Sequence, residues 1–255
     1  MFGIVRKLKK ALYGPSSDEM LEKLKWGGAD IGEKVWVFDP KNTVIDETRP
    51  WLLKIGSYTK ITTGVIILTH DYSVSVLRRA YGEWLGEGAV TEIGENVFIG
   101  VNSTVLMGTH IGNNVIVGAG SVVSGTIPDN CVVAGNPARV IRSLDEQYQK
   151  RKEATKHECK DCVKRFKERR GRYPTPAEIG GFKFLFEKRD KDVVSRDGLN
   201  FDCHGDEASE VEESFYSTKP YWDGYEKLIE EIEMESRSQG ENKIDGRNNS
   251  TGRQR

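Results

Sequence analysis

Hydrophobic positions along the chain recur with a period of six. Aliphatic residues stand at Ile93, Ile99, Val105, Ile111, Val117 and Val123, and glycine follows directly at 94, 100, 112 and 118. Four positions after each aliphatic come Val97, Ser103, Thr109, Val115, Ser121 and Ile127, all small or β-branched. An upstream series repeats the pattern: Ile31-Gly32, Val37, Thr43, then Ile55-Gly56, Ile61 and Ile67. This period matches neither a 3.6-residue helix nor a hairpin meander. It fits a coil of three short strands, each turning one residue inward. Successive coils would stack about 4.8 Å apart, so that like residues form aliphatic ladders. Glycine or a polar residue is expected at the corners, where positive φ is cheap. A chance run of β-branched residues in a sandwich would not keep register over six repeats.

Breaks in the register locate insertions. Positions 43 and 55 lie twelve apart where six are expected, which places about six extra residues near 46–53. Positions 67 and 93 lie 26 apart, so an excursion of twenty residues (the loop 72–91) leaves after His70 and returns near Thr91. Long excursions from a rigid scaffold usually carry function.

The two ends follow helical spacing instead. Phe2, Val5, Leu8 and Leu12, with four basic residues between them, predict a helix within an N-terminal cap over 1–28. Such a helix covers an open solenoid end, and weak association with a membrane surface is the alternative. A helix over 145–170 carries Tyr148, Thr155, Cys159, Cys162 and Phe166 on one stripe. Thr175-Pro176-Ala-Glu178 reads as a capping box with proline at the first helical position, opening a helix to about 190. A last helix is expected over 222–234. The predicted organisation is a cap at 1–28, a solenoid at 29–142, a helical extension at 143–236 and a disordered tail at 237–255, where Ile244 is the only large apolar residue.

Charge sharpens this division. Between Ile93 and Pro128 only Glu95 is charged, whereas the whole chain holds 38 Lys and Arg against 39 Asp and Glu. A net charge of −1 excludes a dedicated nucleic-acid coat, and no nucleic-acid partner is expected. No apolar run approaches the ~20 residues needed to span a bilayer. Charges within the first ten residues break up any signal peptide. Four cysteines without secretory context do not suggest disulfides. The expected setting is the cytoplasm.

The runs Ile93-Gly-Glu-Asn-Val-Phe-Ile-Gly, Ile111-Gly-Asn-Asn-Val-Ile-Val-Gly-Ala-Gly-Ser-Val-Val and Ala134-Gly-Asn-Pro-Ala-Arg-Val-Ile-Arg142 resemble the hexapeptide-repeat acyltransferases. Pro50-Trp-Leu-Leu-Lys-Ile-Gly56, followed by Ile67-Leu-Thr-His-Asp-Tyr72, is similar to the sugar and polysaccharide O-acetyltransferases of that group. The resemblance covers about 29–142. It implies a mainly β fold, a left-handed parallel β-helix, with the helical cap and α-helical extension added to it. The handedness comes from the resemblance alone, since the usual crossover rule would give a right-handed coil. It further implies a homotrimer, with acetyl-CoA as co-substrate in the groove between neighbouring solenoids, a saccharide acceptor and no metal.

Acyl transfer from a thioester to a hydroxyl needs a base effective near neutral pH, and histidine, with an ordinary pKa of about 6.5, suits it. Of His70, His110, His157 and His204, His70 sits where the solenoid gives way to the excursion, and Thr69-His70-Asp71 is similar to the family's catalytic motif. Direct transfer follows, with no acyl-enzyme and a backbone N–H holding the oxyanion. Asp71 could orient His70 or simply end the strand. Asn42 and Asp46 lie near the place where relatives contact the acceptor. Tyr72 and Trp84, near Arg78 and Arg79, suit either a carbohydrate face or a clamp on a neighbouring subunit. The resemblance places the pantetheine arm along Gly118-Ala119-Gly120 and the CoA phosphates near Arg139 and Arg142. Ser124-Gly125 stands where many relatives have Thr-Lys, so one cation is missing beside Ser124. His157-x-Cys159-x-x-Cys162 with Cys203-His204 invites a zinc reading, but His157 projects away from the cysteines, which fit the apolar stripe. Two rival functions remain: N-acetylation of an aminosugar or antibiotic, and a non-catalytic assembly module.

Overall fold

The structure is a computed structural model that describes residues 14–191 and 201–248. The expected helix at 2–12 lies outside the described residues. Contacts divide the chain into two units: one runs to Gln149 and takes in His204–Asp206, and the other comprises the remainder from Lys150.

The first unit opens with α1 (Ser17–Trp26), fixed at its start by a capping box between Ser16 and Glu19. Its Met20, Leu21 and Leu24 enter the same core as the solenoid, and it packs on β1 (Asp30–Ile31) and β2 (Trp36–Val37). The chain then winds through β3 (Val44–Ile45), β4 (Leu53–Ile55), β5 (Lys60–Ile61) and β6 (Ile66–Ile67). After the excursion it resumes as β7 (Thr91–Ile93), β8 (Phe98–Ile99), β9 (Thr104–Val105), β10 (His110–Ile111), β11 (Ile116–Val117) and β12 (Val122–Val123), and ends in β13 (Thr126–Ile127), β14 (Cys131–Ala134) and β15 (Arg139–Ser143).

Three sheets result. The first face orders β1-β4-β7-β10-β13, the second β2-β5-β8-β11-β14-β15, and the third β3-β6-β9-β12. Every pairing is parallel except β14 with β15, which folds back and closes the stack. The sixfold ladder is therefore real: Ile55, Ile93 and Ile111 align on one face, and Ile61, Ile99 and Val117 on the next, all buried. The edges are named by the faces they join: edge I from first to second, edge II from second to third, edge III from third to first.

Two details differ from the periodic reading. In the first coil the inward residue of the third face is Ile45, paired with Ile67, rather than Thr43. Two of the six extra residues therefore precede β3, in the corner at 38–42, and four follow it. The glycines after the first-face strands are also not there for positive φ. A Cβ on Gly56 would lie 2.5 Å from the Gly94 carbonyl carbon of the next coil. Close stacking demands the glycine, and the left-handed turn falls two residues later, at Lys34, Tyr58, Asn96, Asn114 and Asn130.

His204–Asp206 lies on the second face. The His204 ring stacks on Trp36 at 4.8 Å, and Lys60 Nζ donates to Gly205 O and Asp206 Oδ1, both at 2.8 Å.

The second unit is helical. The helix α3 (Leu144–Arg170) matches the predicted span closely, and its residues from Lys150 belong to this unit. The buried stripe is Cys159, Lys160 and Val163, with Cys162 and Phe166 only partly covered and Tyr148 exposed, so the predicted stripe holds only at its centre. Lys160 is buried because Glu231 and Glu235 take its ammonium. The Thr175–Glu178 capping box forms, but it opens a 3-10 segment, Pro176–Leu185, rather than a helix to 190. Gly180, at φ 55°, breaks it. The helix α4 (Ala208–Ser217) was not anticipated. The last helix, α5 (Tyr225–Asn248), outruns the predicted end and enters the stretch expected to be disordered. Leu228 and Ile232 anchor it in the core of this unit. Among the described residues no helix is long and apolar enough to cross a membrane.

Candidate active site

Asp46 and His70 lie on edge III, one coil apart. The register that pairs Val44 with Ile66 and Ile45 with Ile67 puts the residues after β3 directly beneath those after β6. There His70 Nδ1 lies 2.5 Å from Asp46 Oδ2. The Asp46 side chain is 4% exposed and that of His70 30%. Asp46 also accepts from Thr69 Oγ1 at 2.5 Å, from Thr48 Oγ1 at 2.7 Å and from the Thr48 and Thr69 backbone N–H groups. Burial alone would raise its pKa; the hydrogen bonds from Thr69, Thr48 and His70 outweigh that and hold it well below the usual carboxylate range. An ionised, buried acceptor at Nδ1 keeps the ring proton there, which turns the lone pair of Nε2 outward. Asp46 was expected to face the acceptor. Its burial and full set of donors make it the partner of the imidazole instead. Thr48 escaped the sequence reading, where only the insertion after β3 pointed toward it, and Thr69 entered that reading as part of Thr69-His70-Asp71 without a role of its own.

Asp71 turns away. Its Oδ1 accepts from the Ser73 N–H at 2.7 Å, and Ser73 and Glu87 are its hydrogen-bonded neighbours. The Ser73 hydrogen bonds lower the Asp71 pKa, and the shared bond with Asp71 raises that of Glu87. The excursion then forms the helix α2 (Val74–Tyr81), which has no buried residue and ends at Gly82 in the left-handed region. Tyr72 and Trp84 are exposed, Trp84 by 82%. Arg78 sits between their rings, 4.5 Å from the Trp84 centroid and 5.9 Å from that of Tyr72.

The remaining expected site residues divide between edges. Ser124 follows β12, so it stands on edge III two coils beyond His70, about 10 Å along the axis. Gly118 and Ala119 follow β11 on edge II, and a Cβ on Gly118 would lie 3.0 Å from Ala134 Cβ. Arg139 pairs with Ala134 and is exposed at that edge. Arg142 is at the far end of β15, where its guanidinium donates to Gln147 Oε1 at 3.3 Å. Asn42 is also on edge II, in the first coil, with its amide bound to Asp39 Oδ2 at 2.7 Å. It is thus not beside His70: the two residues inserted ahead of β3 hold it in its own corner. His110 projects outward from the first face and contacts Glu92 Oε2 at 3.0 Å.

A family model described as the hexapeptide repeat of succinyl-transferase matches residues 90–124. Galactoside O-acetyltransferase of Escherichia coli K12 is 33% identical over 153 residues, which span 52% of this chain and 73% of that protein. The chain belongs to the hexapeptide-repeat acyltransferases. Galactoside O-acetyltransferase of Lactococcus lactis shares 30% identity over 149 residues, 51% of this chain and 70% of its own length. Protein CapG of Staphylococcus aureus is 42% identical over 98 residues, and the matched part is 38% of this chain but only 56% of that protein. The matches to these three relatives take in 38% to 52% of this chain.

Proposed function

We propose that the chain is an acetyl-CoA-dependent O-acetyltransferase acting on a hydroxyl of a saccharide, with His70 as general base. The observation that carries this reading is the 2.5 Å contact between His70 Nδ1 and the buried Asp46 carboxylate. It fixes the tautomer in which Nε2 is free to accept a proton. The two galactoside O-acetyltransferases are the relatives that support a sugar hydroxyl as acceptor.

Acetyl-CoA would supply an activated acyl carbon and a thiolate leaving group. His70 Nε2 removes the acceptor hydroxyl proton as the new C–O bond forms, while Asp46 stabilises the resulting imidazolium. The same nitrogen then returns that proton to the departing sulfur as the C–S bond breaks, leaving an ester and free CoA. The chain offers room for the donor: a Cβ on Gly120 or Gly125 would meet nothing within 4 Å. Gly118, Ala119 and Arg139 on edge II and Ser124 on edge III are assigned to the pantetheine arm and phosphates. Because edges II and III bound the same face, one chain cannot bring them together across it. A trimer of left-handed solenoids, with edge III of one copy against edge II of the next, would do so. Tyr72 and Trp84 are assigned to the acceptor.

Thiol release from acetyl-CoA, measured with a panel of hydroxyl and amino acceptors, tests the reading. His70→Ala should lower kcat/KM with a saccharide about 10²–10⁴-fold. Release that survives this change undiminished rejects the base, and transfer confined to amines rejects the acceptor class.

A further inference from the structure

The loop that brings the excursion home is held by very little. Its helix α2 buries no side chain, and 81–86 are all exposed. Besides the hydrogen bonds that the Glu87 side chain makes with Ser73 and Asp71, the loop's return is fastened to the solenoid and to the insertion after β3 at three points. Ala89 N donates to Thr69 O at 3.0 Å, and Thr91 Oγ1 donates to Leu68 O at 2.7 Å. The third is Arg49, whose Nη1 donates to the carbonyl of Glu87 at 2.6 Å. Arg49 belongs to the insertion after β3, the same seven-residue stretch 46–52 that supplies Asp46 and Thr48 to His70. It opens the 3-10 turn Pro50–Leu52, and among the described residues its guanidinium is in no ion pair. The fit is close from the loop's side as well. A Cβ on Gly88 would lie 3.1 Å from Arg49 Nη1, 3.6 Å from Leu52 Cδ1 and 3.6 Å from Thr69 O.

We propose that Arg49 is a positioning residue that pins the returning end of the excursion against the edge carrying His70. A single insertion thereby serves two tasks. Asp46 and Thr48 orient the base, and Arg49 sets the wall beside it on which Tyr72 and Trp84 are mounted. A guanidinium suits the task because its planar fork loses little freedom on binding one carbonyl, and its charge strengthens that bond. The kinetic part of this inference rests on the acetyl-transfer reading; the structural part does not.

A Glu-specific protease separates the two parts, because Glu83 and Glu87 both lie in the excursion. Arg49→Met should be nicked at these sites at least about fivefold faster than the native chain, with its thermal midpoint little changed. Arg49→Lys, which keeps one charged donor, should restore most of the protection. Gly88→Ala pushes on the same contact from the other side and should give an intermediate rate, which keeps the question answerable should Arg49→Met fail to fold. In the transfer assay Arg49→Met should raise KM for the saccharide about fivefold or more, with kcat within about twofold and KM for acetyl-CoA unmoved. Equal nicking of native and Arg49→Met protein overturns the proposal, as does a fall in kcat with an unchanged acceptor KM. A chain that transfers acetyl to nothing would fail the functional reading, and the proteolysis would then decide on Arg49 alone.

Discussion

Edges I and III are built from the same repeat and end up opposite in character. On edge I the asparagines 96, 114 and 130 adopt φ of 53°, 55° and 54° in successive coils. Asn96 Nδ2 donates to Asn114 Oδ1 at 2.9 Å, and Asn114 Nδ2 donates to Asn130 Oδ1 at 3.0 Å. The polar groups satisfy one another along the axis. On edge III the repeat is interrupted twice, after β3 and after β6, and the polar groups converge on one imidazole. Asp46 is saturated by donors, while the His70 side chain stays 30% exposed. Where the register is kept, hydrogen-bonding capacity is spent within the stack. Where it is broken, one imidazole nitrogen makes no hydrogen bond among the described residues.

The sharpest way to break this contrast is to neutralise the buried carboxylate. Asp46→Asn keeps the shape of the contact but removes the charge that holds the proton on Nδ1. It should lower kcat/KM about a thousandfold, equivalent to about 4 kcal/mol of transition-state stabilisation. Steady-state kinetics with a saccharide acceptor check this, and near-native turnover would mean that edge III has no base of this kind. Removing a shared core residue comes next. Ile99→Ala, in the fully buried Ile61–Ile99–Val117 ladder, should cost about 3 kcal/mol in denaturant unfolding while leaving the edges distinct. A loss below about 1 kcal/mol would show that the ladder does not act as one packed column. On edge I, Asn114→Ala removes both ladder bonds and strains a left-handed backbone, at about 2 kcal/mol. Asn114→Gly loses the bonds but fits the backbone and should cost less. The reverse order would point to something other than backbone strain at this edge.

The smallest effect expected is on acid stability. Asp46 titrates well below its unfolded value of about 3.9, so its stabilisation is complete above that pH and is lost as the pH falls beneath it. Thermal midpoints measured from pH 5 down to pH 2 should therefore fall more steeply for the native chain than for Asp46→Asn. Parallel curves would mean that the carboxylate is not held ionised by its neighbours.

The two units differ in how they manage buried charge. The solenoid core is aliphatic, and Asp46, at its margin, is held by hydroxyls, backbone and imidazole. The helical unit buries Phe186, Trp222, Leu228 and Ile232 and, besides them, Lys160. Desolvation there would lower the Lys160 pKa, but Glu231 and Glu235 reverse this and raise it. In both units a buried ion persists because several partners meet it at once.

Much of the solenoid was readable from the chain. A strict period of six dictates which residue of each strand turns inward, because stacking like on like is the only way such a pattern buries every aliphatic. The position and length of the twenty-residue excursion followed by counting, and so did His70 at its start. The helix at 144–170 was equally plain, since helical spacing is local. What counting could not settle was how the six extra residues near β3 divide around that strand. That division moves Asn42 to edge II and brings Asp46 under His70. It is fixed by the pairing of Ile45 with Ile67, a contact across 22 positions that no local pattern records. Thr48, Thr69 and Arg49 are ordinary residues in sequence and acquire their roles only from that stacking. The period of the chain determined the prism, because burial of a repeating side chain is a local demand repeated many times. Tertiary structure alone decided which carboxylate meets the imidazole, because that depends on how one coil lies on the next.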